Sequence, residues 1–108
     1  MDCKYADNAP LFKALSDPTR LMIIDMLSCG ELCACVILAK FQITQPTLSY
    51  HMKALCGSGL VSGRKQGKWM YYSLVNDVFK DIRDFLDEIT TSSVSILCSE
   101  NSCELVFK

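Results

Sequence analysis

Acidic residues are missing from the middle of this 108-residue chain, although the chain as a whole has a net charge of −1. No Asp or Glu lies between Glu31 and Asp77, whereas five basic residues do: Lys40, Lys53, Arg64, Lys65 and Lys68. The stretch therefore has a charge of +5, which leaves −6 for the rest of the chain. A basic middle between acidic ends is typical of a surface that meets phosphate groups, and it indicates a nucleic-acid partner.

Other features that define common protein classes are also missing. The opening residues contain no apolar signal core, and no apolar run approaches the length of a membrane span. We therefore expect a soluble, cytoplasmic protein with no membrane partner. The chain has one histidine, no glycine-rich phosphate loop and no acid–base constellation, so we do not expect an enzyme.

The seven cysteines are an odd number, which argues against a disulfide framework. Thiols stay reduced in the cytosol, so these side chains are expected either to pack as small hydrophobic groups or to bind a ligand. Cys29 and Cys56 fall in apolar helical patterns, and we expect both to face the core. Cys33 and Cys35 form a Cys-x-Cys pair, which fits this packing role less well.

The first part of the chain has the pattern of four short helices. We predict them at Ala9–Leu15, from Pro18 to about Cys29, from Leu32 or Cys33 to Phe41, and from Thr44 to about Cys56, with Asp17 and Thr44 as caps. The apolar residues expected in the core from the second and fourth helices are Leu21, Ile24, Leu27, Leu48, Met52 and Leu55. Two short helices about a tight turn indicate a helix-turn-helix.

The pattern then changes to that of a hairpin. Leu60–Arg64 and Trp69–Leu74 are predicted as strands, and Lys65–Lys68 between them has a glycine available for positive φ. A last helix is predicted at Asn76–Thr90. Its apolar stripe consists of Val78, Ile82, Phe85 and Ile89.

Together these elements predict a winged helix-turn-helix, a fold class that is mainly α with a small β-hairpin. The DNA-binding and dimerisation domain would span residues 1–92. Residues 93–108 would form a C-terminal tail that contains Cys98 and Cys103. A lone domain leaves the apolar stripe of the last helix partly uncovered, and such a patch usually marks an interface, which favours a homodimer.

The fourth helix is the one expected to contact DNA. The residues expected on its exposed surface are Gln45, Thr47, Ser49, Tyr50, His51 and Lys53, and the wing adds Arg64, Lys65 and Lys68. Gln45 can make a bidentate contact to adenine, hydroxyls contact bases or phosphates, and the basic residues suit phosphate or groove contacts. A single histidine is more often a surface residue without a role, but the position of His51 in this helix favours DNA contact.

Cys33 and Cys35 are expected at the start of the third helix. Thiolates prefer soft ions, and a helix N-terminus lowers the pKa of a thiol. Residues two apart lie about 200° around an ideal helix axis, so both sulfurs could hold one ion only if the first turn unwinds or bends. Ion capture would then distort the region beside the DNA-contacting helix and shift the population away from the DNA-binding state.

The sequence resembles the ArsR/SmtB family of metal-responsive repressors from about Leu11 to Leu86. The matching stretches are residues 12–20 (FKALSDPTR), 31–35 (ELCAC), 45–53 (QPTLSYHMK) and 67–72 (GKWMYY). The resemblance implies a homodimer built from the first and last helices, which binds an inverted-repeat operator in double-stranded DNA and dissociates when an effector binds. In the arsenite-responsive branch the Glu-Leu-Cys-x-Cys stretch is the inducer site, which implies that Cys33 and Cys35 bind arsenite or antimonite.

The chain departs from this branch at two positions. Val36 replaces a residue that is commonly Asp, and Leu38 lies where some members have a further cysteine. A third thiolate for trivalent arsenic would then come from the tail, at Cys98 or Cys103, or from Cys3.

Other functions are compatible with parts of the pattern. Within the same fold, a cadmium- or lead-responsive repressor would combine Cys3 with the Cys-x-Cys pair, and a redox-responsive repressor would use cysteine oxidation. A zinc site on the last helix is not expected, because that helix contains no histidine. A thiol-rich ion-storage protein or a reductase would leave the basic helix-turn-helix and wing without a role.

Overall fold

The computed structural model describes residues 3–91. The elements are α1 (Cys3–Leu15), α2 (Pro18–Leu27), β1 (Leu32–Cys33), α3 (Ala34–Ala39), α4 (Gln45–Gly57), β2 (Val61–Gln66), β3 (Trp69–Leu74) and α5 (Asn76–Thr90). The strands form one antiparallel sheet in the order β1-β3-β2, so β3 is the middle strand. The predicted fold class is confirmed: the chain is mainly helical, and a small hairpin follows the helix-turn-helix in the chain.

Both predicted helix caps are present. The Asp17 carboxylate accepts a hydrogen bond from the backbone N–H of Arg20 at 3.1 Å, and Pro18 occupies the first turn of α2. The Thr44 hydroxyl accepts from the backbone N–H of Thr47 at 3.3 Å at the start of α4. These side chains satisfy N–H groups that have no partner within the helix, which fixes where α2 and α4 begin.

The first helix is longer than the sequence pattern indicated. It begins at Cys3 rather than Ala9, and Pro10 lies inside it. The Tyr5 ring packs edge-on against Phe85 of α5, with 6.2 Å between the ring centroids. This contact with a distant helix supports the additional turns, and no local periodicity could indicate it.

The third helix is shorter than predicted. It covers Ala34–Ala39, because Leu32 and Cys33 form the short strand β1 instead of a helical turn. Leu32 pairs with Tyr72 and Cys33 with Tyr71 of the middle strand. The prediction that helix begins at Leu32 or Cys33 and reaches Phe41 is therefore wrong, since strand pairing holds these first residues in an extended conformation.

The core takes side chains from every helix and from the start of the hairpin. Its buried members are Ala14, Ile23, Leu27, Ile37, Leu48, Met52, Leu55, Leu60, Val61 and Ile82. Leu21, expected in this core, is 52% exposed, because α2 turns Ile23 and Leu27 inward. Cys29 was also expected to face the core and is exposed just after the end of α2, whereas Cys56 packs against the core as predicted.

The hairpin is more extended than predicted. Lys65 and Gln66, assigned to a loop by the sequence pattern, belong to β2, and only Gly67 and Lys68 connect the strands. Gly67 has a φ of 61°, a conformation that costs a glycine little. The basic side chains near the tip are therefore held on a paired strand rather than on a free loop.

The last helix has the predicted bounds but buries its apolar stripe only in part. Ile82 is buried and Phe85 is half-buried, whereas Ile89 and neighbouring Leu86 are 45% and 40% exposed. The predicted tail at residues 93–108, with Cys98 and Cys103, lies outside the described residues. No helix in the described part of the chain is long and apolar enough to cross a membrane.

Two substitutions on α2 test the corrected orientation of this helix. We expect Ile23→Ala to lower the free energy of unfolding by about 2–5 kcal/mol, because it removes a fully buried side chain. Leu21→Ala, two residues away and half-exposed, should change it by about 0.5 kcal/mol or less. Denaturant unfolding at one fixed protein concentration measures both, and equal losses would contradict the assigned buried face.

Candidate thiolate site and nucleic-acid interface

Helix α4 presents a polar surface on the side away from the core. Its buried residues Leu48, Met52 and Leu55 recur at helical spacing and fix the helix against the domain. The predicted DNA-contacting residues that the structure places on the exposed surface are Gln45, Thr47, Ser49, Tyr50 and Lys53 on α4 and Arg64, Lys65 and Lys68 on the wing. This exposed set contains hydroxyls, an amide and positive charges, the groups that contact bases and phosphates.

His51 is placed differently from the other predicted DNA-contacting residues. Its side chain is only 12% exposed, and its Nδ1 accepts a hydrogen bond from Arg20 Nε at 3.0 Å. Arg20 also donates to the backbone carbonyl of Ala14 at 3.3 Å and lies 5.5 Å from the centroid of the Tyr50 ring. In this conformation His51 links α4 to α1 and α2, and its contact with DNA stays a prediction.

Sequence analysis missed the role of Arg20. The only signal was its position at the end of the Asp-Pro-Thr-Arg cap of α2. A cap motif predicts where a helix begins, but it does not predict that the arginine reaches a histidine 31 residues away.

Arg64 is exposed but already bound within the protein. Its Nε and Nη2 donate to the two carboxylate oxygens of Glu31 at 2.8 and 2.7 Å, and its Nη1 donates to Gln66 at 2.7 Å. Hydrogen bonding to this guanidinium lowers the pKa of Glu31 and, in return, raises the pKa of Arg64. Lys65 and Lys68 complete the basic surface of the wing, and Lys68 lies 5.5 Å from the centroid of the Trp69 ring.

The two sulfurs of the Cys-x-Cys pair lie next to each other. Cys33 is the N-terminal cap of α3 with extended backbone angles (φ −69°, ψ 145°), and its Sγ lies 2.8 Å from Sγ of Cys35. Two thiolates bound to one ion at about 2.3 Å each can be at most about 4.6 Å apart, so both can reach the same ion. The expectation that the first turn must unwind is therefore wrong, because Cys33 is not helical.

The two thiols differ in acidity. The Cys35 thiol donates to the Cys33 sulfur, which lowers the pKa of Cys33, and backbone N–H groups at the start of α3 act in the same direction. The same hydrogen bond raises the pKa of Cys35, because its proton is held between the two sulfurs. Cys33 is therefore the first of the pair to become a thiolate.

A cleft of about 470 Å³ opens beside the sulfur pair. Its walls come from α3, α4 and the wing: Cys33, Ala34, Cys35, Leu38, Gln45, Leu48, Ser49, Met52, Lys68, Trp69, Met70 and Tyr72. The thiols thus share one cleft with Gln45 and Ser49, which are predicted to contact DNA, and with Lys68 of the wing. An ion bound to both sulfurs would lie among groups of the predicted DNA-binding surface.

Within residues 3–91 the pair has no third ligand in place. No group of three or more His, Cys, Asp or Glu side chains there could hold a metal ion, and Leu38, three positions after Cys35, lines the cleft. Cys3 is exposed on α1, and burial raises the pKa of Cys56. The other predicted ligands, Cys98 and Cys103, lie outside the described residues.

Comparison with known proteins finds similar bacterial regulatory proteins. The family described as "Bacterial regulatory protein, arsR family" matches residues 17–62, from the cap of α2 into β2. A Staphylococcus xylosus protein described as an arsenical resistance operon repressor is 48% identical over 87% of this chain and 90% of its own length. A Staphylococcus aureus protein described as a cadmium resistance transcriptional regulatory protein CadC homolog is 38% identical over 82% of this chain and 75% of its own length.

A solved structure has the same fold. An ArsR-like transcriptional regulator from Rhodococcus sp. superposes with a TM-score of 0.72 at 27% identity, covering 82% of this chain and 83% of that one. The similarity therefore includes the helix-turn-helix and extends well beyond the family match.

The difference in thiol acidity predicts an order of alkylation. Under single-hit conditions, iodoacetamide should modify Cys33 at lower pH than Cys35, because the lower pKa gives Cys33 more thiolate. Cys35→Ala removes the hydrogen bond that contributes most, so the alkylation curve of Cys33 should move to higher pH. Peptide mass spectrometry from about pH 6 to about pH 10 measures this, with Cys29→Ala as the control. Preferred modification of Cys35 would contradict the assignment.

Proposed function

Because this chain belongs to the ArsR family of bacterial regulatory proteins, we propose that it represses transcription as a homodimer and releases its operator when arsenite or antimonite binds Cys33 and Cys35. The observation that carries the proposal is the 2.8 Å separation of the two sulfurs at the edge of a cleft whose other walls are α4 and the wing. Soft thiolates suit a thiophilic ion, and the 48% identical relative is described as an arsenical resistance operon repressor.

The geometry of the pair supplies a physical cause for release. Two thiolates that bind one ion are held to each other through it, so ion capture fixes the distance between their two sulfurs. Ion capture thus constrains β1, which holds Cys33, against the first turn of α3, which holds Cys35. An ion that binds this constrained state more tightly shifts the population towards it, and release follows if the constrained state binds DNA less well.

We assign the predicted third thiolate to the tail. Cys98 or Cys103 would fold over the ion bound at Cys33 and Cys35, and residues 93–108 would form a segment separate from the DNA-binding domain at residues 1–92. Ordering such a segment costs about 1–2 kcal/mol per residue, so only a short part of it would dock.

The dimer interface is assigned to α1 and α5. Tyr5, Leu86 and Ile89 are between 40% and 47% exposed on these two helices, which are already joined by ring contacts of Phe12 and Tyr5 with Phe85. A second copy would cover these apolar side chains and place two α4 helices for two half-sites of an inverted repeat in double-stranded DNA.

A cadmium- or lead-responsive repressor is the second candidate. The relative described as a cadmium resistance regulatory protein homolog favours it, and so does the exposed Cys3 at the start of α1. Comparing operator release by arsenite, antimonite, cadmium and lead under reducing conditions separates the two candidates.

We expect DNA binding to depend steeply on salt, because phosphate contacts release counterions. Lys65→Gln and Lys68→Gln should each weaken binding to all sequences and reduce the salt slope by about 1. Gln45→Ala should instead relax base preference by about 1–3 kcal/mol at one position. Fluorescence anisotropy with operator and scrambled duplexes measures both effects.

The matched control for these lysines is Lys80→Gln. Lys80 lies on α5, outside α4 and the wing, and is paired with Asp84 at 2.9 Å. An equal change of slope in this control and in the wing variants would contradict the assignment of the wing to DNA.

We expect Cys33→Ser and Cys35→Ser to keep operator affinity and lose release by arsenite. Both residues line the cleft beside α4, but neither lies in α4 itself. Each substitution therefore removes an ion ligand without removing a predicted DNA contact. An arsenite titration of the protein–operator complex measures release, and Cys29→Ser, an exposed thiol outside the cleft, is the control. A double Cys33/Cys35 variant that responds like the parent would remove the pair from the mechanism.

A further inference from the structure

A bidentate ion pair joins the two edges of the wing sheet. Glu31 immediately precedes β1, and Arg64 belongs to β2 at the opposite edge. Two nitrogens of the guanidinium donate to the two carboxylate oxygens at 2.7 and 2.8 Å. Such a fork-shaped contact fixes the orientation of both groups as well as their distance.

Tyr71 of the middle strand connects the same two edges. It is paired with Cys33 on one side and with Arg64 on the other, so these three residues form one row across the sheet. The Arg64 guanidinium lies 4.7 Å from the centroid of the Tyr71 ring. Cys33 is therefore connected to Arg64 through the backbone of β3 and also through the Glu31 carboxylate.

The outer part of β2 has little buried surface to hold it. Val61 is buried, but the strand is exposed from Ser62 to Gln66. Arg64 donates to Glu31 and also to Gln66 at the end of the strand. These side-chain contacts therefore add to the backbone ladder in setting where Arg64 and its neighbour Lys65 lie.

We propose that Glu31 is a positioning residue that transmits ion capture at Cys33 and Cys35 to the wing through Arg64. The inference rests on the proposed function, because it requires that the thiol pair controls DNA release. As an ion is captured between the two sulfurs, β1 moves and Glu31 moves with it. The bidentate contact then shifts Arg64 and the basic end of β2 relative to α4, and the two DNA-contacting elements no longer match one operator.

Two substitutions test this route. Glu31→Gln removes the carboxylate charge, and Arg64→Lys keeps a positive charge for phosphate but loses the planar fork. The quantity to measure is the ratio of operator Kd with and without arsenite. Each variant should lower this ratio about fivefold, which corresponds to the upper range of the energy of an exposed ion pair. The ratio in the double variant should be no lower than in either single variant, because both substitutions break the same contact.

The arsenite affinity of the DNA-free protein is measured separately. Trp69 is the single tryptophan and lines the cleft with both thiols, so quenching of its fluorescence reports arsenite binding. We expect Glu31→Gln to leave this affinity unchanged. Because coupling is reciprocal, operator DNA should weaken arsenite binding less in the variant than in the parent. The reduction should equal the factor by which the variant lowers the ratio of operator Kd values.

The control is Asp84→Asn, which breaks the exposed Lys80–Asp84 pair by the same carboxylate-to-amide change and should leave the ratio unchanged. If the ratio of operator Kd values in Glu31→Gln equals that of the parent, the positioning role is overturned and release through the thiols is left intact. Weaker arsenite binding by DNA-free Glu31→Gln also overturns it, because Glu31 would then belong to the ion site. A parent protein that keeps its operator in arsenite overturns both this inference and the proposed function.

Discussion

The pairing of two residues with the middle strand of the wing determines the geometry of the whole candidate site. Leu32 and Cys33 pair with Tyr72 and Tyr71, which keeps Cys33 extended and delays the start of α3 until Ala34. In a continuous helix the two thiols would point in directions about 200° apart. With Cys33 in a strand, the sulfurs lie 2.8 Å apart, and the preceding Glu31 reaches Arg64.

The same pairing explains why a small change at the thiols can reach a larger surface. Helix α3 has only six residues, far fewer than the roughly 12–15 that an isolated helix needs, so its position depends on tertiary contacts such as buried Ile37. Helix α4 is held more firmly, by its Thr44 cap and its buried stripe. We therefore expect any displacement of the sulfurs on ion capture to be taken up by β1 and α3 rather than by α4.

Sequence analysis succeeded where the determining interactions are local. The caps at Asp17 and Thr44 depend on hydrogen bonds to residues three positions later in the chain. The buried stripe of Leu48, Met52 and Leu55 depends on helical spacing. It failed at β1, whose partners lie about forty residues later in the chain and whose two residues have no strand period of their own. The thiol pair was identified, but its geometry followed from this pairing and could not be inferred from spacing alone.

The charge available to DNA also differs from the sum over the sequence. Glu31 is the last acid before the acid-free stretch, and it folds back onto Arg64, so one of the five positive charges is paired within the protein. His51 accepts a hydrogen bond from Arg20 at Nδ1, which ties its side chain to α2. The predicted attraction to phosphate therefore depends mainly on lysines, while the arginines at positions 20 and 64 hold elements together. Charge counting indicated a nucleic-acid partner, which agrees with the family of this chain, but the contacts decide which side chains are available to that partner.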